Sequence, residues 1–469
     1  MTSVSQLEPF LEPKSIAVVG ANPNTGEQAF NVVENLANCG YQGKVYPVNP
    51  NYNKIVGKKC YPSVKNIPGD VDLAIIVTPR HTVSQIVKQC GEKSIKAAIV
   101  VGQGFADADD EGKKLQQELV EVARKSGVRI LGPNTVGSAN AFIDFSAAFL
   151  KQTDIRKQPV AVVCQSGLFF GTVGRLKLLG KGLDLGNACD IDVAEAMEYF
   201  ADDPQIKVIV LHIEGIRGDG KKFREAALRV TRKKPVLALK TGRTERSARA
   251  AQSHTGSLVG KDEVWDAVFK QSGIIRANDI DELGDLVKAF SYLPFMKGRG
   301  IGVVTASGGI GIMTLDACAK YNLEVVELTP ETKRRLTAMS PTWYKVGNPL
   351  DIWPLIINST RPFGETLRTA MTEVLSDPRV NAIVAFAGAW FQGFKPLITD
   401  VMKETADAFP VKPIAWCPYD GWLFNIRSRD LQDKLEETGR VAVFSIPDDA
   451  VRALSRLADY SEFSKGFSQ

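Results

Sequence analysis

Short, strongly apolar runs alternate with helically patterned stretches along almost the whole chain. "SIAVVG" (15–20), "GKVYPVN" (43–49), "VDLAIIVTP" (71–79), "KAAIVVG" (96–102) and "GVRILG" (127–132) read as strands. Between them, "EQAFNVVENLANCG", "HTVSQIVKQCGEK" and "DEGKKLQQELVEVARKSG" carry apolar residues at helical spacing. Strand–helix alternation of this kind specifies an α/β fold with a parallel, doubly wound sheet.

The pattern restarts twice. "QPVAVVCQSG" (158–167) opens a second unit, with strands at "IKVIVLHIEG" (206–215) and "KPVLALKTG" (234–242). "RGIGVVTASGGIG" (299–311) opens a third, followed by "VNAIVAFAGA" (380–389), "KPIAWCP" (412–418) and "RVAVFSIP" (440–447). "SYLPFMKGRG" (291–300), with Pro and Gly, reads as a linker. The 469 residues exceed the roughly 250–300 at which one core stops growing. Three α/β domains are expected, at about 1–130, 131–290 and 300–469.

Composition narrows the function. A net charge of +5 spread along the chain, with no basic tail, gives no nucleic-acid footprint. The seven cysteines form no CxxC pair, which reads as reduced thiols in a cytoplasm. "MTSVSQLEPFLEPKS" lacks the pattern of a secretory signal, and no run is long enough to suggest a membrane span. A cytoplasmic protein without nucleic-acid or membrane partners is expected.

Three strand-to-helix turns are rich in Gly, Ser and Asn. In "VVGANPNTGEQAF" (18–30), free N–H groups and a helix dipole would attract an anion. The spacing from Gly20 to Gly26 is not GxGxxG, and the second strand ends in "PVNPN" without an acidic residue. Both facts argue against an NAD-linked oxidoreductase. The other turns, Gln165-Ser166-Gly167 and Ser307-Gly308-Gly309, open two further domains. Facing each other, they could grip one phosphoryl group, although N-capping alone would explain Ser166.

Only three histidines occur. His81 stands at a helix start and His212 in the strand "VIVLHIEG", where a satisfied core histidine is expected. His254 lies in "KTGRTERSARAAQSHTGSLVG" (240–260), which has no periodic apolar face and reads as a mobile loop. A nucleophilic histidine needs an accessible neutral nitrogen and a partner for the other one. Glu214, expected at the C-terminal end of its strand, could be that partner, and Arg243, Arg246 and Arg249 could tolerate phosphate charge.

These motifs, in this order and over nearly the whole chain, resemble the nucleoside-diphosphate-forming acyl-CoA synthetases, relatives of succinyl-CoA synthetase. "SHTGSLVG" (253–260) resembles the family's phosphohistidine loop, "LGPNTVG" (131–137) its GPNC-x-G junction, "CQSG" its SQSG turn, "IEGIRG" its Glu-bearing strand end and "GNPLDIW" (347–353) its NPVD segment. The resemblance implies a Rossmann-like CoA-binding domain followed by two flavodoxin-like CoA-ligase domains. It also implies the reaction acyl-CoA + phosphate + ADP = carboxylic acid + CoA + ATP, through an acyl phosphate and a phosphohistidine on a swinging loop. His254 would be the carrier and Glu214 would hold its ring. Ser166, Gly167, Ser307, Gly308 and Gly309 would bind phosphate. Coenzyme A would meet the turns bearing Gly20, Asn24, Thr25, Gly26, Asn49, Asn51, Thr78, Pro79, Gly102, Gln103 and Asn134.

No metal ligands are assigned to this chain. Mg²⁺ with ADP or ATP would sit on a separate ATP-grasp beta subunit, in an α2β2 assembly, because three α/β units leave no length for that domain. The chain departs from the family pattern at Asn51, where Lys is usual and Lys54 is a candidate substitute, at Cys164 in place of Ser, and at "GQGF" (102–105). Leu168, Phe169 and Phe170 follow the phosphate turn, where they could shape an acyl pocket, but helix packing is their expected role. The alternative function is a non-catalytic CoA-binding regulatory relative of the same architecture.

Overall fold

The computed structural model describes residues 6–26, 29–148, 157–175, 179–216, 218–247, 249, 260–358, 361–387, 394–418, 429–436 and 438–466. The chain divides into two compact units, Met1–Ile280 and Asp281–Gln469.

The first unit holds two major sheets. One contains β1 (Ser15–Val19), β2 (Lys44–Val48), β5 (Leu73–Ile76), β6 (Ala97–Val100) and β7 (Arg129–Leu131), all parallel, in the order β2-β1-β5-β6-β7. Between β2 and β5 lies a small antiparallel hairpin, β3 (Lys54–Ile55) with β4 (Lys58–Lys59). Every residue of β1, β5 and β6 is buried, as strands covered by helices on both faces must be.

The second sheet contains β8 (Ser138–Asn140), β9 (Phe145–Ser146), β10 (Val160–Cys164), β11 (Lys181–Asp184), β12 (Val208–Ile213), β13 (Val236–Lys240) and β14 (Ile275–Ala277). Its order is β14-β13-β12-β10-β11-β8-β9, with the last two strands antiparallel. The second unit repeats the parallel pattern in β15 (Gly300–Thr305), β16 (Glu324–Val325), β17 (Leu350–Asp351), β18 (Ala382–Phe386), β19 (Ile414–Cys417) and β20 (Val441–Val443). These strands run β16-β15-β18-β19-β20, and β17 pairs with β15.

In each sheet the first parallel strand has later strands on both sides. The chain therefore winds one way and then the other, and a crevice opens at the C-terminal ends of β1/β5, β10/β12 and β15/β18. Open α/β sheets bind ligands at such reversals.

Two local expectations are corrected. The first crossover helix spans Val32–Asn38 and does not begin near residue 27. Phe30 has a positive φ of 43° and Asn31 is the extended N-cap, whose side chain accepts from the Val33 and Glu34 N–H groups. "SYLPFMKGRG" is not a free linker. Its first two residues finish the helix Ile280–Tyr292, Leu293 and Met296 are buried, and Phe295 packs on Tyr460 at 5.4 Å.

The first unit also buries a cation. Lys181 on β11 is 2% exposed and sits 2.7 Å from Asp203 and 2.8 Å from Glu12. Lys181→Met should lower stability by about 3–5 kcal/mol, because Asp203 is left buried without its counter-charge. A urea-unfolding midpoint equal to the wild type's would contradict this.

Candidate functional site

The β10/β12 crevice gathers most of the chemistry. β10 ends at Cys164 and the helix Gly167–Arg175 begins three residues later, so Gln165 and Ser166 form the turn. A Cβ at Gly167 would lie 2.6 Å from Val136 Cγ1, so a side chain there would displace Val136 in the segment between β7 and β8. β12 ends at Ile213, which places Glu214 immediately beyond the strand, 9% exposed.

The Gln165 side chain joins the two strand ends. Its Oε1 accepts from Glu214 N at 2.9 Å and from Gly215 N at 3.3 Å, although 49 residues separate Gln165 from Glu214. Gln165→Leu removes that acceptor while keeping the size of the side chain. It should cost about 1–3 kcal/mol of stability for the unpaired buried N–H groups and slow any chemistry that needs Glu214 in place. An unchanged unfolding midpoint would remove Gln165 from this role.

Beneath the turn, Asp184 at the end of β11 is fully buried. It accepts from Val136 N at 2.8 Å and Gly186 N at 3.3 Å, and the Cys164 thiol lies 3.7 Å away. Burial nevertheless pushes the Asp184 carboxyl up to about 6 and holds the Cys164 thiol well above its usual value. Cys164 is thus a packed thiol.

His212 on β12 is 5% exposed and stacks on Phe169 with centroids 4.5 Å apart. Its Nε2 is 3.5 Å from Thr241 Oγ1, but its Nδ1 has no hydrogen-bond partner among the described residues. The expected satisfied core histidine is therefore in the core but only half satisfied. Burial, then the charge of Lys240, pushes it down to about 4, so it is neutral at ordinary pH. His81 is exposed on the helix Arg80–Glu92. Of the residues after the phosphate turn, Phe169 and Phe170 are buried and Leu168 is 81% exposed.

His254 and its neighbours 250–259 lie outside the described residues. Of the arginines before it, Arg243 pairs with Asp262 at 3.4 Å and Arg249 lies 3.7 Å from Glu245. Lys240, the first residue of the segment 240–260 expected to be a loop, is instead the buried last residue of β13 beside Glu214, its Nζ donating to the Glu214 carbonyl at 3.0 Å. A lysine closing the apolar run "VLAL" was the available signal.

The β1/β5 crevice collects the other predicted turns. A Cβ on Gly20 would lie 2.7 Å from Thr78 Cγ2, so the turns after β1 and β5 are in contact. Asn49, following β2, donates from Nδ2 to the Ala21 carbonyl at 2.8 Å and accepts from Asn51 N at 3.0 Å. The Gly102 carbonyl after β6 accepts from Asn134 N at 2.9 Å. Gly20, Asn49, Asn51, Thr78, Gly102 and Asn134 thus follow neighbouring strand ends, next to Pro79 and Gln103.

Asn24, Thr25 and Gly26 form an exposed turn. There the N–H of Gly26 donates to the Glu34 carboxylate at 3.0 and 3.2 Å, so an internal acid already takes a group that sequence reading offered to a phosphate.

In the second unit, Ser307 precedes the helix Gly308–Lys320 as its N-cap but makes no side-chain cap. The turn is held instead by Thr305 Oγ1, which accepts from Ser307 N at 3.0 Å and donates to Ser307 O at 2.9 Å. The Asp351 carboxylate comes within 3.3 Å of where a Gly308 Cβ would stand, and Gly309 follows in the first helical turn.

Family models match in the same order. They are a CoA binding domain over residues 14–141, a succinyl-CoA ligase like flavodoxin domain over 157–290 and a ligase-CoA domain over 301–414. The chain is 38% identical over 468 residues to the acetate–CoA ligase (ADP-forming) II subunit alpha of Pyrococcus furiosus, covering 97% of this chain and 98% of that one. It is 36% identical over 396 residues to the acetate–CoA ligase (ADP-forming) II of Archaeoglobus fulgidus, covering 82% of this chain but 57% of that one.

Among solved structures, it superposes on acetyl-coenzyme A synthetase 1 of Ca. Korarchaeum cryptofilum, determined in complex with phosphate and ADP. The TM-score is 0.86 at 30% identity, covering 98% and 97% of the two chains. Likeness of this extent, over a CoA-binding domain followed by flavodoxin-like ligase domains, means that the chain belongs to the ADP-forming acyl-CoA synthetases, acid–thiol ligases, as a chain of the alpha-subunit type.

Proposed function

We propose that this chain carries the acyl and phosphohistidine half of the reaction acyl-CoA + phosphate + ADP = carboxylic acid + CoA + ATP. A phosphate oxygen attacks the acyl carbon and the CoA thiolate leaves. A ring nitrogen of His254 then attacks the phosphorus of the acyl phosphate, and the carboxylate leaves. ADP finally takes the phosphoryl group from the histidine, restoring the free ring.

The observation that carries this reading is the junction of Gln165 with Glu214. It sets a Ser-Gly helix opening beside a buried carboxylate at one sheet reversal. In this account Ser166 and Gly167, and in the second unit Ser307, Gly308 and Gly309, bind phosphate through helix-opening N–H groups. Glu214 orients the His254 ring.

Coenzyme A is assigned to the strand ends around Gly20, Asn49, Asn51, Thr78, Pro79, Gly102, Gln103 and Asn134, with the exposed turn at Asn24, Thr25 and Gly26 beside them. The hairpin that follows Asn51 supports this. Lys54 and Lys59 are directly opposed across β3 and β4, and Lys58 is adjacent. Opposed like charges are unfavourable unless an anion relieves them, and CoA brings phosphates. Lys54 is thereby a substitute for the lysine missing at position 51.

The nucleotide half is assigned to a separate ATP-grasp beta subunit, in an α2β2 assembly that holds Mg²⁺ with ADP or ATP. The chain matches a named alpha subunit over its full length, but only 57% of the Archaeoglobus ligase named without a subunit. We place the assembly in the cytoplasm. Among the described residues no helix is long and apolar enough to cross a membrane.

The test is reconstitution of the chain with an ATP-grasp partner. ATP formation from acyl-CoA, phosphate and ADP should need both chains. CoA binding without turnover, across partners and acids, would favour the regulatory alternative.

A further inference from the structure

We propose that Lys240 is a positioning residue for phosphoryl transfer, its buried ammonium tying the backbone at Glu214 to both ends of the connection that carries His254. The inference rests on the roles proposed above for His254 and Glu214.

Lys240 is the last residue of β13 and is 2% exposed. Its Nζ donates to the Glu214 carbonyl at 3.0 Å and to the carbonyl of Thr241, the first residue of the connection. The same ammonium lies over the Trp265 ring, 5.2 Å from its centroid. Trp265 belongs to the helix Asp262–Ser272, on which the connection ends, and its Nε1 is 3.2 Å from where a Cβ on Gly260 would stand. One side chain therefore touches the Glu214 strand end, the start of the connection and the helix at its far end. Arg243 and Asp262, 3.4 Å apart, tie the same two ends again, and Arg276 on β14 anchors Asp262 at 2.6 Å.

Among the described residues no carboxylate lies within ion-pair distance of Lys240. A buried ammonium held only by carbonyls and a ring is costly for stability. Methionine would fill the same space without that cost, so packing alone does not account for a lysine. The groups facing it are Glu214 and the neutral His212 on the β12 side, Asp262 on the following helix, and Arg276 on β14. Burial outweighs the two acids and pushes the ammonium down to about 8, so its charge is lost as pH rises through that value. Arginine at this position would stay charged throughout.

The experiment compares wild type, K240M and K240R as full chains with the ATP-grasp partner, ATP and Mg²⁺. Its readouts are the rate of His254 phosphorylation, its pH profile, CoA binding and the melting temperature. K240M should keep CoA binding and remain folded, yet phosphorylate slower by on the order of 10²-fold, as expected for a misplaced reacting group. Wild-type phosphorylation should fall above about pH 8, a limb that K240R should lack. A wild-type rate in K240M, or an unmoved alkaline limb in K240R, would overturn the proposal. If K240M fails to fold, the K240R profile decides alone. A wild-type chain that is never phosphorylated would instead refute the His254 reading and this inference with it.

Discussion

His254→Ala should abolish ATP formation, by on the order of 10⁴-fold or more, because in the proposed mechanism His254 is the group that takes the phosphoryl from the acyl phosphate. CoA binding should be unchanged, since the turns assigned to CoA lie on the first sheet. Acyl phosphate should still form, because phosphate attack on the acyl carbon precedes the histidine step. The measurement is coupled ATP synthesis by the reconstituted pair, with isothermal titration of CoA against the chain. The regulatory alternative predicts no turnover from either chain, whereas turnover retained by the variant would remove His254 as the carrier.

The second large effect is expected at Glu214. Glu214→Gln should slow His254 phosphorylation by about 10²-fold or more, the usual scale for losing a group that orients and charges a catalytic partner. The variant keeps the size of the side chain. It also keeps two main-chain bonds at this strand end, the Gln165 acceptance of Glu214 N and the Lys240 donation to Glu214 O. A fold defect is therefore not the expected cause of the loss. Single-turnover phosphorylation from ATP through the partner reads the step directly, and a near-normal phosphohistidine yield would take Glu214 out of the mechanism.

Strand positions were highly legible in the sequence because parallel strands are buried on both faces and announce themselves as continuous apolar runs. β1, β10, β12 and β15 all lie inside runs read as strands. The strands that escaped are short or polar. β8 is Ser-Ala-Asn and β9 is Phe-Ser, both on an antiparallel edge, and β11 is Lys-Gly-Leu-Asp, whose lysine and aspartate find partners only in the folded chain. The late start of the helix at Val32 was hidden because the apolar spacing of "AFNVV" continues through Asn31, whose side chain nonetheless caps the helix.

The candidate site was legible as turn chemistry but not as contacts. Small residues after an apolar strand mark the turns at Gln165–Gly167 and Ser307–Gly309. Nothing in local spacing says that Gln165 reaches a strand end 49 residues away, or that Lys240 turns inward. The same holds for Glu34, whose carboxylate meets Gly26 only because the loop folds back over the helix that Asn31 caps.

The most direct test of the central claim is the mass and chemical lability of the chain after incubation with ATP, Mg²⁺ and the ATP-grasp partner. The account predicts one added phosphoryl group, acid-labile and base-stable, on the peptide that contains His254. It should be discharged by ADP, and in the presence of a carboxylic acid and CoA it should be consumed to give acyl-CoA. A chain that binds CoA yet gains no phosphoryl group with a partner active toward another alpha subunit, or that gains one on a different residue, would contradict it.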